Sequence, residues 1–210
     1  LPAADATVSR LCLAALVCAL ATVALGAFVA NRPPARIDID AVALRGGAVP
    51  LALFFTALGR WPVLIGLGVV AMGVAMTLRT GLSALVVLFA AQVFSQAANA
   101  LLKLAFHRER PGGWLLIRET DLSYPSGHAV SAIVFFAGLA LLAWNAPLPR
   151  PVCAALTAAL LICAVGIPWS RLALGAHYLT DVAGGLLFGI AFLCAALAIV
   201  LRFTTAANAA

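Results

Sequence analysis

The sequence predicts an all-α fold, an integral membrane bundle of six transmembrane helices with a functional site at one membrane face. Three observations predict it. The 210 residues are 65% hydrophobic and only 10% charged, with mean hydropathy +1.13, more apolar surface than a single water-soluble core can hide. The charged residues leave apolar gaps at 11–30, 61–78, 80–102, 129–149, 151–169 and 182–201, each near the length of about 20 residues that a helix needs to cross a bilayer. None of the gaps alternates with the period of two expected of strands, and a helix satisfies its own backbone polar groups in lipid, which argues against a barrel.

The elements follow in order. The gap 11–30 exceeds the apolar region of about 7 to 15 residues usual in a cleavable leader, so it reads as a permanent span, with a leader as the alternative. Residues 31–45 carry Pro33, Pro34, Asp38 and Asp40 and read as a loop by turn chemistry. The apolar stretch 46–59 is too short to cross and reads as an interfacial or re-entrant piece leading into the second span. Arg79, Thr80 and Gly81 make a tight connection. In the third span Gln92, Gln96, Asn99 and Lys103 fall at helical spacing on one face, which should point into the bundle and bond to neighbouring helices. A polar stretch, 104–124, and a short turn, 145–151, separate the later spans. Gly184, Gly185 and Gly189 in the last span suit close helix approach. The chain reads as one membrane-embedded domain, 1–210.

Charge and cysteine content narrow the function. The net charge is +6, yet the basic residues are scattered singly, which gives nucleic-acid binding little support. Cys12, Cys18, Cys153, Cys163 and Cys194 all sit in the apolar runs, where they read as small buried hydrophobes rather than a disulfide framework.

Polar residues that an apolar chain has little reason to carry form three clusters between 103 and 181. The first holds Lys103, Arg110 and Pro111. The second is Pro125, Ser126, Gly127 and His128. The third holds Ser170, Arg171, His177 and Asp181, and all three histidines of the chain lie between 103 and 181. With six spans retained, parity gathers the clusters at one mouth of the bundle.

Lys103 and Arg110 are seven residues apart, so both face one point if the helix continues to Pro111. With Arg171 they suit a phosphate, although each alone also reads as a cation snorkelling to headgroups. Ser126 and Gly127 precede an apolar helix and can offer backbone N–H groups to an anion, while His128 can protonate a departing oxygen. His177 and Asp181 are four apart, a helical spacing at which the carboxylate holds one imidazole nitrogen and leaves the other free to attack.

The three clusters resemble the signature motifs of the type 2 phosphatidic acid phosphatase superfamily, K-x6-R-P, P-S-G-H and S-R-x5-H-x3-D, and match every specified position. The resemblance implies a membrane lipid phosphatase that acts on a lipid phosphate or pyrophosphate. It implies His177 as the nucleophile forming a phosphohistidine, Asp181 as its orienter and His128 as the acid for the leaving group. Lys103, Arg110, Ser126, Gly127 and Arg171 would hold the phosphoryl oxygens, Ser170 would have a lesser positional role, and His107, Arg108 and Glu109 are given none. No cofactor is implied. No metal is expected either, because the clusters supply three cations and one carboxylate already committed to His177.

Two other functions compete. A vanadate-dependent haloperoxidase uses a similar pocket but belongs to soluble relatives. A lipid transporter or flippase would need the cations without the His177 and Asp181 pair. Of the 13 Lys and Arg, only Arg10, Arg79, Arg150 and Arg202 fall opposite the clusters, so the positive-inside rule points the clusters toward the cytoplasm. The resemblance places them outside, which for a bacterial inner-membrane protein means the periplasm, and that is the expectation adopted. Phosphatidic acid, phosphatidylglycerol phosphate, isoprenoid pyrophosphates and phosphorylated lipid A all fit as substrates.

Overall fold

The structure, a computed structural model, describes residues 2–46, 48–112 and 116–207, so Gly47 of the segment 46–59 and residues 113–115 of the stretch 104–124 lie outside it. Every regular element among the described residues is helical. They are α1 (Pro2–Val29), α2 (Arg36–Asp40) with a 3-10 turn at Ala41–Leu44, α3 (Val49–Leu58), α4 (Trp61–Leu78), α5 (Leu82–Phe106), α6 (Gly127–Ser131), α7 (Gly138–Trp144), α8 (Arg150–Ala173) and α9 (Leu179–Ala207). A π-helical stretch, Ala132–Ala137, joins α6 to α7. Six spans are long and apolar enough to cross a membrane: α1, α4, α5, the joined Gly127–Trp144, α8 and α9. The chain is a multi-pass integral membrane protein.

Local chemistry sets several helix ends. Pro50, Pro62 and Pro151 stand in the first turns of α3, α4 and α8, where a missing N–H costs nothing. Arg79 and Gly81, both with positive φ, turn the chain from α4 into α5, and Thr80 N–H donates to the Ala75 carbonyl at 3.1 Å.

The span Gly127–Trp144 is the centre of the bundle. Its Val130, Val134, Phe135 and Phe136 are buried against Leu85 and Leu88 of α5, Ile167 of α8 and Phe188 of α9. Large apolar side chains such as Leu16 on α1, Val70 on α4 and Phe94 on α5 point outward, as a lipid-facing surface requires. Because lipid is as apolar as these side chains, burial alone does not hold the spans together, and close packing takes over. A Cβ on Gly184 would lie 2.4 Å from the Tyr124 ring, and one on Gly185 would lie 2.4 Å from the Ser126 carbonyl oxygen. These glycines let α9 press against the turn that carries the second motif. The hydroxyl of buried Tyr124 donates to Thr22 O of α1 at 2.6 Å, and burial pushes its phenol above its ordinary value, so it stays a neutral donor.

Five expectations change. Residues 31–45 are not a plain loop, since α2 and its 3-10 turn fill 36–44. Only Cys153 is buried; Cys12 is exposed and the other three cysteines are half-buried, because apolar runs here present as much surface to lipid as to the core. The helix of Lys103 ends at Phe106 instead of continuing to Pro111, since His107 adopts a left-handed conformation (φ 47°) and turns the chain out. His177 precedes α9, so it and Asp181 do not share a helix face. The segment 46–59 does more than lie at an interface: α3 packs on α8, with buried Phe55 against Gly166 and buried Thr56 turned into the bundle.

Candidate active site

A cavity of about 500 Å³ opens where α5 and α8 end and α6 begins, and Lys103, Arg110, Gly127, His128, Arg171 and His177 all line it. Two loops and three helix ends thus bring six of the eight expected residues to one cavity. Asp181 stands behind His177, and Ser126 does not reach the cavity.

Asp181 occupies the first turn of α9, fully buried, where its Oδ2 accepts the Tyr178 N–H at 2.8 Å and the Ser123 hydroxyl. His177 Nδ1 lies 3.5 Å from that oxygen and 3.4 Å from Ser123 Oγ. The capping geometry of the helix start thus brings the pair together without a shared helix face. On the other side of the ring, Arg110 Nη1 is 3.1 Å from His177 Nε2. A guanidinium can only donate, so Nε2 carries the lone pair and Nδ1 carries the proton that points toward Asp181. Burial, followed by the charges of Arg110, Arg171 and Lys103, pushes the imidazole well below its ordinary value. The geometry and the lowered basicity both favour the neutral ring, its Nε2 lone pair accepting from Arg110 beside the cavity.

Two carboxylates occupy the cationic cup. Asp121 takes Lys103 Nζ at 2.9 Å and Arg110 Nη2 at 2.5 Å, while Arg110 also donates to the backbone oxygens of Asp121 and Ala176 at 2.8 and 2.6 Å. Arg171 pairs with Glu119 and donates to Thr56 Oγ1. Partial burial pushes the Asp121 carboxyl up, but Lys103 and Arg110 outweigh it and hold it well below the usual carboxylate range. The two carboxylates thus neutralise three of the cations that line the cavity.

Around His128, Nε2 lies 3.2 Å from the Thr56 carbonyl. Ser126 departs from the expected anion role, because its N–H donates to Asp181 O at 3.1 Å and its hydroxyl is buried away from the cavity. The close pass of α9 at Gly185 claims that amide. Gly127 does line the cavity, and a Cβ there would meet Gln96 Oε1 at 3.0 Å. The polar face of α5 serves as interhelical glue: Gln92 and Gln96 donate to Ser131 Oγ at 2.8 and 3.0 Å, and Gln96 also to Gly127 O at 3.0 Å. Ser170 bonds back to Ile167 O at 2.6 Å, a local helix contact.

The sequence model of the PAP2 superfamily matches residues 80–205, well over half the chain and the whole of the three clusters. The chain belongs to the PAP2 superfamily. Among PAP2 proteins, its crystallographic likeness is to a transmembrane PAP2 type phosphatidylglycerolphosphate phosphatase from Bacillus subtilis, with TM-score 0.71 over 93% of this chain and 96% of that one at 23% identity, which shows the fold. Curated relatives include lipid A 1-phosphatases. The one from Rhizobium etli is 36% identical over 112 residues, 49% of this chain and 44% of the relative, and the one from Rhizobium johnstonii 35% identical over 115 residues, 50% and 43%. The chain spans less than half the length of these relatives.

Sequence reasoning missed the inner layer of this PAP2 site. Arg108, given no role from the sequence, is buried and donates to Asp181 Oδ1 at 2.5 Å, Thr180 Oγ1 at 2.7 Å and Asp38 Oδ2 at 2.9 Å. Fully buried Asp38 in turn accepts from the Thr180 N–H and hydroxyl, both at 2.9 Å. Asp38 and Thr56 precede the stretch that matches the superfamily. A faint signal existed for Arg108, a third basic residue within eight positions at a helix end, and none for Thr56.

Proposed function

We propose that this protein is a membrane lipid phosphatase that hydrolyses a lipid phosphate or pyrophosphate through a phosphohistidine on His177. The observation that carries the reading is that His177 lines one cavity with His128, Lys103, Arg110 and Arg171, its Nδ1 turned toward Asp181 and its Nε2 beside Arg110. A phosphoryl group entering the cup displaces Asp121 and Glu119 and takes Lys103, Arg110 and Arg171 in their place. Nε2 then attacks phosphorus, the bond from phosphorus to the leaving oxygen breaks, and His128 supplies the proton that oxygen needs. Because the phosphoryl group replaces the two carboxylates charge for charge, the proton on His128 comes in with the substrate, which binds as its monoanion and hands that proton to the ring. Water next attacks the phosphohistidine, giving its proton to His128 and releasing inorganic phosphate. Asp181 holds the Nδ1–H throughout and favours the charge that His177 gains on attack. The cations neutralise the charge spread over the transferring oxygens, so the reading is metal-independent.

The lipid tail has a path. An apolar groove of about 290 Å³ between α4 and α5, lined by Ile65, Val69, Phe89 and Val93, shares Trp61 and Leu64 with the cavity. It supports entry from the bilayer. The site is assigned to the periplasmic face of a bacterial inner membrane, in line with the expectation adopted from the motifs. The relatives' names add lipid A and phosphatidylglycerolphosphate to the lipids to be tried. The test is phosphate release by purified protein, in excess chelator, from a panel of these lipids. The reading expects release that His177→Ala abolishes. Movement of lipid across vesicles without release of phosphate would replace it with transport.

A further inference from the structure

Four cations line the cavity, and three have been accounted for: Lys103 and Arg110 share Asp121, and Arg171 takes Glu119. The fourth is Arg60, the residue that caps α4. It is exposed, and among the described contacts no carboxylate pairs with it. Its place in the wall is fixed by its neighbour. A Cβ on Gly59 would lie 2.5 Å from His128 Cδ2, so the backbone of residue 59 lies against the imidazole and Arg60 is the next residue along. Beyond Arg60 come Trp61 and Leu64, where the apolar groove begins.

The lining therefore has an order. Along the chain, Gly59 against the acid for the leaving group is followed by the unpaired cation and then by the residues that the cavity shares with the groove. A cation between the departing oxygen and the lipid tail is wasted on a neutral leaving group such as diacylglycerol. It fits a leaving group that carries its own anionic phosphate close to the scissile bond. Resting on the phosphatase reading, we infer that Arg60 is a specificity residue for lipids whose leaving group is itself anionic. Two classes meet this description: pyrophosphate monoesters, which depart as a lipid monophosphate, and phosphate monoesters borne on a phosphodiester headgroup. A charge-assisted hydrogen bond from the guanidinium then holds the second phosphate while His128 protonates the oxygen between them.

The experiment compares phosphatidic acid, an isoprenoid pyrophosphate and phosphatidylglycerol phosphate in mixed micelles, with the full chain and its Arg60→Gln and Arg60→Lys variants. The quantity read is kcat/KM for each anionic-leaving-group lipid divided by kcat/KM for phosphatidic acid. Arg60→Gln should lower that ratio about tenfold or more for at least one of the two classes, and Arg60→Lys should keep most of it. Because the ratio is internal to each variant, partial loss of folded protein does not move it. An unchanged ratio in Arg60→Gln for both classes overturns the inference, and so does wild-type turnover of phosphatidic acid alone, which leaves the phosphatase reading standing. Release of phosphate from none of these three lipids by wild type also overturns the inference, and only silence with phosphorylated lipid A as well would remove the phosphatase reading with it.

Discussion

On either side of the His177 ring lies a cluster of ion pairs, and the two clusters are built differently. Behind Nδ1, Arg108 is clamped between Asp181 and Asp38, both carboxylates fully buried and both also bonded to backbone amides. In front of Nε2, Lys103 and Arg110 share Asp121, whose side chain keeps 56% of its surface exposed. The inner cluster has no exchangeable partner, because an unpaired charge there would be stranded without water. The outer one can trade its carboxylate for an incoming anion. The same pairing of Arg and Asp thus makes a fixed frame in one place and a binding site in the other, and burial decides which.

The largest effect should come from the ring between them. His177→Ala should abolish phosphate release, while Asp181→Asn, which replaces the charged acceptor of the Nδ1–H with a neutral amide that can also present N–H to the ring, should leave a residual rate lower by roughly 10⁴-fold. Phosphate release from a lipid substrate checks both. Next comes the frame. Arg108→Gln strands two buried carboxylates, so the folded protein should lose about 3–5 kcal/mol of stability, measured by unfolding in detergent. Stability unchanged by that substitution would contradict the account of the inner cluster.

The pH profile sharpens the contrast at the cup. His177 has its pKa well below the ordinary 6.5 through burial and then the Arg110 charge, so it stays neutral as pH falls through 6.5 and loses its lone pair only at lower pH. On its account kcat/KM should hold through pH 6.5 on the acid side. In Arg110→Gln one of the charges that oppose protonation is gone, so that acid limb should move up toward 6.5. The smallest effect belongs to Asp121. A part-exposed pair is worth under about 1 kcal/mol, so Asp121→Asn should tighten inhibition by orthovanadate only about two- to fivefold. Weaker inhibition would mean that Asp121 does not compete for the cup.

The sequence carried the fold and the outer cluster much further than the inner one, for a physical reason. Hydropathy marks membrane spans because lipid selects every residue of a span at once, and the gaps between charges fell on the helices that formed. The motif residues could be read because polar groups at the ends of apolar runs stand out. Arg108 and Asp38 are polar residues in polar stretches, where nothing distinguishes a buried pair from a solvated one. Their contact, across 70 positions, is made only when α2 folds against the start of α9. Thr56 is hidden similarly, since its role depends on α3 packing back onto α8. That the Ser126 N–H goes to the Asp181 carbonyl was not legible either, since it depends on α9 coming close enough at Gly185 to meet the Ser126 backbone.

The central claim is that His177 Nε2 becomes covalently phosphorylated, and the most direct test is to trap that species. Purified protein turning over a radiolabelled lipid phosphate should be quenched in alkali, where phosphohistidine survives, and the labelled peptide mapped by mass spectrometry. The account predicts one labelled peptide, phosphorylated at His177 and absent from His177→Ala, with more label accumulating in His128→Ala if loss of the base for water slows breakdown more than loss of the acid slows formation. Label on any other residue, or turnover that persists at the wild-type rate in His177→Ala, would contradict it.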